Sequence, residues 1–196
     1  MPRAILETMP SHASLLQLVD AAVAEAVRKS GAWVVCKPGC TACCIGPFPI
    51  TTLDALRLRD GLRALGRADP DRAARLRERA RQSVERLERG FPGNTLARVL
   101  AEDAGEDEPC PALDPSSGLC DLYDARPITC RTFGPAVRWG SGAVGVCELC
   151  YVGATGAEIA ACRVEIDPDA LEAQLPGQLE AAAETIVAFA LAEEAV

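Results

Sequence analysis

A dense cysteine segment near the N-terminal third of the chain constrains the fold more than any other feature. Within nine residues the chain carries four thiols. A spacer of three residues, which includes a proline and a glycine, separates the first two, and a spacer of two residues separates the second from the third. Because proline and glycine recur there, residues 32–50 are predicted to form an irregular loop or tight knuckle. Turns of this kind can direct several thiolates at one soft cation, at about 2.3 Å. The four thiols belong to Cys36, Cys40, Cys43 and Cys44.

Cys43 and Cys44 are adjacent in the chain. Neighbouring side chains normally point apart, so we expect one of the two to bind metal while the other packs or serves a second centre. The competing interpretation of the whole segment, a chance cluster of small buried apolar residues, is less favoured in a reducing compartment.

A second set of cysteines, Cys110, Cys120 and Cys130, recurs every ten residues. This spacing is too long for one knuckle and suits successive turns of a folded-back loop. Pro127 is predicted to begin a short helix that carries Cys130. Arg126 and Arg131 flank this cysteine. Their charge would lower a thiol pKa and offset the charge of a thiolate-rich centre. Pairing of both arginines with Asp121 or Asp124 is an equally open and compatible alternative.

The remaining cysteines lie further along the chain. Cys147 and Cys150 form a C-x-x-C pair, which can serve as a redox dithiol or contribute metal ligands. The strand–helix context of a thioredoxin-like site is missing, which favours ligation. Cys162 stands alone in an apolar run and is interpreted as a core residue. His12 is the only histidine, which excludes the usual His-rich zinc hydrolase and facial-triad sites.

Composition argues against some classes of function. The formal net charge is −8, which argues against bulk nucleic-acid binding. Neither a signal peptide nor a membrane-spanning apolar run is recognisable, so we expect a cytoplasmic protein with no membrane partner. Ten cysteines under reducing conditions indicate metal ligands or catalytic thiols rather than structural disulfides.

Helical periodicity dominates outside the cysteine segments. With aromatic residues at only 4%, we expect a mainly α fold with little or no β. The prediction is a single compact domain over residues 1–196, with helices around two irregular cysteine-rich segments and a motif core at about 36–150. Arginines crowd residues 57–89, which are interpreted as a solvated helical face or, less favoured, a partner-binding surface. A first helix is predicted over residues 11–30, and further helices are predicted from Thr51, from Pro70 and from Asn94 or Thr95. One or two more are predicted over about 169–195, and a short strand over residues 160–167.

The two cysteine blocks resemble the YkgJ-type cysteine-cluster family, also described as the CxxCxxCC zinc- or iron-chelating domain. The likeness rests on the first four cysteines and on the second block, in which each cysteine is followed by matching residues. The spacer between Cys36 and Cys40 has three residues where the family name has two. The resemblance implies metal chelation, with Cys147 as the trailing family cysteine. The implied metal ligands are Cys36, Cys40, Cys43, Cys44, Cys110, Cys120, Cys130 and Cys147. The matching residues of the second block are Leu113, Leu122, Tyr123, Arg126, Pro127, Arg131 and Phe133.

These observations leave several functions open. The leading hypothesis is a metal-chelating protein that binds iron, as an iron–sulfur cluster or as iron, with zinc as the alternative. Eight thiolates could fill two four-coordinate sites. A related group includes the flagellin lysine-N-methylase, so a cluster-dependent protein-modifying enzyme is a second hypothesis, although no residue here transfers a methylase active site. A thiol-redox module is the third, and a purely structural zinc scaffold is a further variant. Catalytic residues, substrate and protein partner are left unassigned.

Overall fold

Helices account for most of the structure, a computed structural model that describes residues 11–101, 105–140, 142, 144–167 and 184–192. The mainly α prediction is confirmed, since the strands are only two or three residues long. The helices are α1 (His12–Ser30), α2 (Thr52–Ala68), α3 (Pro70–Gly90), α4 (Thr95–Ala101), α5 (Ile128–Thr132), α6 (Gly156–Cys162) and α7 (Val187–Ala192). The strands are β1 (Ile50–Thr51), β2 (Leu113–Asp114), β3 (Leu119–Cys120), β4 (Val137–Trp139), β5 (Val144–Gly145), β6 (Val164–Ile166) and β7 (Glu184–Thr185). No helix in the described residues is both long enough and apolar enough to cross a bilayer.

The chain divides into two compact units. The first unit comprises residues 1–35 and 134–180, and the second comprises residues 36–133 and 181–196. The expectation of a single domain over the whole chain stays a prediction.

The first unit joins α1 to a small sheet in the order β5-β4-β6, in which β4 pairs antiparallel with β5 and parallel with β6. The side chain of Ser11 accepts a hydrogen bond from the backbone N–H of Ser14 and caps α1. Thr155 and Glu158 form a reciprocal capping box that begins α6. The predicted strand within 160–167 is therefore too long: α6 runs to Cys162, and only Val164–Ile166 is extended.

The second unit is built on α2, α3 and α7, which pack against one another around a core of aliphatic side chains. The predicted caps are present. The side chain of Thr51 accepts a hydrogen bond from the backbone N–H of Asp54. The side chain of Asp69, the residue before Pro70, accepts one from the backbone N–H of Arg72. Fully buried leucines fill the space between these helices. They are Leu58, Leu62, Leu76 and Leu191.

The C-terminal prediction needs one correction within the described residues. Glu184 and Thr185 are not helical, because they form β7 and pair antiparallel with β1. The apolar residues that follow, Ile186, Val187 and Ala190, are buried. Residues 169–183 and 193–195 of the predicted C-terminal helices lie outside the described part of the chain.

Gly61 lies inside α2, where glycine normally weakens a helix, but its position has a packing reason. A Cβ added there would lie 2.5 Å from the Cβ of Ala125, which belongs to the 3-10 turn Tyr123–Ala125. The missing side chain lets this turn approach the helix closely.

Candidate metal centre

Backbone pairing joins the first two cysteine blocks in the second unit. The N–H of Cys110 donates to the carbonyl of Cys44 at 2.8 Å, and the N–H of Gly46 donates to the carbonyl of Glu108 at 2.9 Å. Between them, Ile45 and Pro109 form an antiparallel bridge. Two cysteines far apart in sequence are thus fixed side by side, through groups that every residue carries.

A tight hairpin brings the next cysteine to the same place. The N–H of Leu113 donates to the carbonyl of Cys110 at 3.0 Å, and Leu113 then pairs across the hairpin with Cys120. The folded-back loop expected from the ten-residue spacing is therefore present as β2 and β3. The buried side chains of Ala112 and Leu122 tie the hairpin to the core of the second unit.

A buried carboxylate fastens this hairpin to α3. The Asp121 side chain, only 1% exposed, is paired with both Arg72 and Arg79. Arg79 also donates from Nε to the carbonyl of Pro111 at 2.9 Å. The two arginines are seven residues apart, so both project from one face of α3. The hairpin is held by charge at one edge and by apolar packing at the other.

The third cysteine of the block sits on α5, which is fixed to the start of α2. Asp54 is buried, and its carboxylate accepts a hydrogen bond from the N–H of Ile128 at 3.2 Å and pairs with Arg57 at 3.3 Å. Burial raises the pKa of Asp54, and the hydrogen bond from Ile128 opposes that shift. Pro127 is the N-cap rather than the first helical residue, and Cys130 lies within α5 as predicted.

Five thiols come together in the second unit and are called here the thiol cluster: Cys43, Cys44, Cys110, Cys120 and Cys130. The pKa of Cys110 is raised to about 12, mainly by burial and in smaller part by the neighbouring thiols of Cys120 and Cys43. Burial likewise raises the pKa of Cys130, followed by the effects of Cys110, Cys120 and Cys43. Burial is also the main cause of the raised pKa of Cys120. Thiols that shift one another in this way lie close together.

Cys43 and Cys44 correct the expectation that adjacent thiols point apart. Their side chains are hydrogen-bonded to each other, at the short 3-10 turn Ala42–Cys44. The bond from Cys44 lowers the pKa of Cys43 to about 6, and the same bond raises the pKa of Cys44. One thiolate is therefore favoured near neutral pH, with its neighbour as the proton donor.

The two arginines beside Cys130 have other partners. The charge of Arg126 lowers the pKa of Cys43 and of Cys120, after the larger effects of hydrogen bonding at the former and burial at the latter. Arg131 donates to the backbone carbonyls of Asp124, at 2.6 Å, and Arg126, at 3.2 Å. The alternative partner Asp121 is taken by arginines of α3.

The other candidate ligands are not among the five thiols of the cluster. Cys36 is exposed and Cys40 is half-buried, on a turn in which the N–H of Cys40 donates to the carbonyl of Lys37 at 2.9 Å. Cys147 belongs to the first unit. Metal binding by these three cysteines stays a prediction.

The two cysteines outside the predicted ligand set also belong to the first unit. Cys150 and Cys162 are buried in one apolar cluster, against which Cys147 packs. The thiol of Cys162 donates to the carbonyl of Lys29 at 3.6 Å, as befits the predicted core residue.

The donor set of the thiol cluster fits a soft metal. Sulfur is the preferred donor for zinc, for iron–sulfur clusters and for other soft cations. Across the described residues, no three Cys, His, Asp or Glu side chains already converge as ligands of one ion. The thiol cluster supplies sulfur donors in one part of the second unit.

Two residues that fix the site, Asp54 and Asp121, were not identified from the sequence as structural anchors. Asp121 was considered only as a partner of the arginines near Cys130. The partners actually used lie on α2, α3 and α5, and no local pattern in the sequence signals such long-range pairs.

A cluster of thiols carried by short turns, in a helical frame, defines a cysteine-cluster domain. The chain belongs to the CxxCxxCC family, described as "Putative zinc- or iron-chelating domain", whose family model matches residues 35–148. All eight predicted ligands fall within that range, whereas Cys150 and Cys162 lie beyond it. The comparison with curated proteins gave no match, and neither did the comparison with solved structures.

Proposed function

We propose that this chain binds iron at the thiol cluster, as an iron–sulfur cluster or as iron, with zinc as the alternative metal. One observation carries the proposal: five thiols from three separate stretches of the chain are gathered in the second unit and shift one another's pKa values. Packing alone does not require five thiols here, since alanine or valine would fill the same space. Their thiolate forms would repel one another in the metal-free chain, and a bound cation would offset that repulsion.

The number of thiols does not choose between the metals, because zinc and iron–sulfur centres are both satisfied by four cysteines and the thiol cluster offers five. The charge near the cluster favours iron. The positive charge of Arg126 beside Cys43 and Cys120 suits a bulky anionic centre. Cys36, Cys40 and Cys147 are proposed as further ligands on the family resemblance. A reducing cytoplasmic location belongs to the same proposal, because it keeps these thiols available.

Anaerobic purification followed by visible absorption and by analysis of iron, sulfide and zinc on one sample tests the proposal. We expect a brown protein with matching iron and sulfide. A colourless protein with stoichiometric zinc would select the alternative metal. A folded protein that takes up neither metal would contradict metal binding altogether.

Single substitutions then locate the centre. We expect Cys120→Ser and Cys130→Ser each to lower the bound metal below that of the unchanged chain. Cys162→Ser is the matched control, because this thiol lies in the first unit and donates to a backbone carbonyl. Equal metal content in all three variants would show that the thiol cluster is not the binding site.

A thiol-redox function has one observation in its favour. The N–H of Cys150 donates to the carbonyl of Cys147 at 2.9 Å, so the C-x-x-C pair lies on a single turn. Treatment with a small-molecule disulfide, followed by mass spectrometry of the cysteine peptides, separates this function from metal binding. A reversible Cys147–Cys150 disulfide that forms without loss of metal would support it, and loss of metal with no such disulfide would refute it.

A further inference from the structure

The guanidinium group of Arg126 is held firmly in the second unit. Its central carbon lies 3.8 Å from the centroid of the Tyr123 ring, a cation–π contact. The Arg126 carbonyl accepts hydrogen bonds from Arg57 and from Arg131. Ring stacking and backbone bonding together restrict where this side chain can go, although the Tyr123 ring itself is 60% exposed.

One donor of this group is buried and unused. The Nε atom of Arg126 is inaccessible to solvent and has no hydrogen-bond partner. Buried donors in folded proteins are nearly always paired, and an exception calls for an explanation such as an absent ion or ligand. An arginine donor is especially costly to leave unpaired, because the group always carries its charge.

The charge of Arg126 acts on thiols. It lowers the pKa of Cys43 and of Cys120, which belong to different blocks of the thiol cluster. Two buried carboxylates of the second unit are already engaged. Asp54 binds Ile128 and Arg57, and Asp121 binds two arginines of α3.

We propose that Arg126 is a positioning residue for the metal centre, and that its Nε–H donates a hydrogen bond to a metal-bound thiolate of the thiol cluster. The inference rests on the proposed function and deepens it. Such a bond would offset part of the negative charge that several thiolates bring to one cation. It also explains why the stacked, directional guanidinium stands here rather than a lysine, whose ammonium group has no fixed plane.

Cobalt binding to the full metal-free chain tests this directly, because thiolate-to-cobalt charge-transfer bands report on the ligand sulfurs. Affinity for Co²⁺, and for Zn²⁺ by competition, is measured for the unchanged chain, Arg126→Gln and Arg126→Lys. Arg98→Gln is the matched control, since Arg98 also lies over an aromatic ring of the second unit, at 5.8 Å from Phe91.

Loss of an outer-shell partner typically lowers metal affinity by about 10–100-fold. We expect a weakening of that size in Arg126→Gln, little recovery in Arg126→Lys, and no change in Arg98→Gln. The charge-transfer band of both Arg126 variants should move to lower energy, because a thiolate that loses a hydrogen bond becomes a stronger electron donor. A merely structural role would weaken binding without moving the band.

Three results would overturn the inference: unchanged affinity in Arg126→Gln, full affinity in Arg126→Lys, or an unmoved band in both variants. Circular dichroism of each metal-free variant establishes that it is folded. If the Arg126 variants do not fold, Tyr123→Leu removes the ring that supports the guanidinium, and we expect the same band shift to a smaller extent. Failure of the unchanged chain to bind any metal would instead overturn the proposed function.

Discussion

Substituting Asp121 by asparagine removes the buried charge that fastens the cysteine hairpin to α3. The carboxylate is 1% exposed, while its partners Arg72 and Arg79 are 39% and 21% exposed. A hydrogen bond to a charged group contributes about 1.5–3 kcal/mol. The variant weakens two such bonds, and water can reach both arginines in part. We therefore expect the free energy of unfolding to fall by about 2–4 kcal/mol, below the upper end seen for broken buried pairs.

Urea unfolding of the reduced, metal-free chain, followed by circular dichroism, measures this loss as a shift of the midpoint by about 1–2 M. Asp60→Asn is the matched control, because Asp60 pairs with Arg63 on the surface of α2, at 73% and 46% exposure. Exposed pairs of this kind contribute about 0.2–1 kcal/mol. If Asp121→Asn cost no more than Asp60→Asn, the carboxylate would not be what holds the hairpin.

Two further substitutions or measurements test the packing and the thiols. Gly61→Ala should destabilise the chain by about 1–2 kcal/mol in thermal or urea unfolding, because the clash with Ala125 outweighs the gain of about 1 kcal/mol in helix propensity. Gly66→Ala should be neutral or stabilising, because the added Cβ would lie 3.4 Å from the end of the Arg77 side chain and 3.8 Å from the Cβ of Ala73, and equal effects of the two substitutions would contradict the close approach at Gly61. In the metal-free chain, iodoacetamide labelling of Cys43 should rise through a pH of about 6, because the thiolate is the reactive form and the Cys44 hydrogen bond lowers its pKa, while Cys110, with a pKa raised to about 12, should stay unlabelled at neutral pH. Peptide mass spectrometry across a pH series checks this, and a Cys43 midpoint near the ordinary thiol value would refute it.

The helical frame was predictable because its signals are local. Thr51 and Asp69 sit at helix starts where a side-chain oxygen satisfies a free backbone N–H, and each is the N-cap in the structure. Apolar spacing also matches the buried face of α3, at Leu76, Ala80 and Leu87, whereas Val27 of α1 and Leu56 of α2 follow the same spacing and are 42% and 46% exposed. Where pairing with a distant strand decides the outcome, as at Glu184 and Thr185, the helical pattern gave the wrong element.

The candidate site was predictable in its residue types and less so in its arrangement. The cysteine blocks, the hairpin and the helix of Cys130 follow from spacing and from turn residues. The assignment of Arg126 and Arg131 to Cys130 followed sequence proximity, whereas the charge of Arg126 acts on Cys43 and Cys120.

The partners of the α3 arginines were also not predictable from the sequence. Their run was interpreted as a solvated face, and Arg81 does pair with Glu78 and Glu85 at the surface. Arg72 and Arg79 instead reach a buried carboxylate. A charge pattern alone cannot tell these cases apart, because the difference depends on what another segment places against the helix.

Because Ile45 and Pro109 form a backbone bridge, the arrangement of the thiol cluster does not depend on the length of chain between its first two cysteine blocks. The elements from β1 to the end of α4 lie between Ile45 and Pro109 in the sequence, so this segment of the chain begins and ends at the bridge. Whole helical turns added to α2 and α3 at Asp69 would extend the two helices away from the bridge. The bridge and the contacts of Asp54 and Asp121 would keep their positions. We therefore expect the spacing between the two cysteine blocks to be free to vary among chains of this design, while the short spacers inside each block are held fixed. Asp69 is accordingly the position at which a domain could be inserted without disturbing the cysteines.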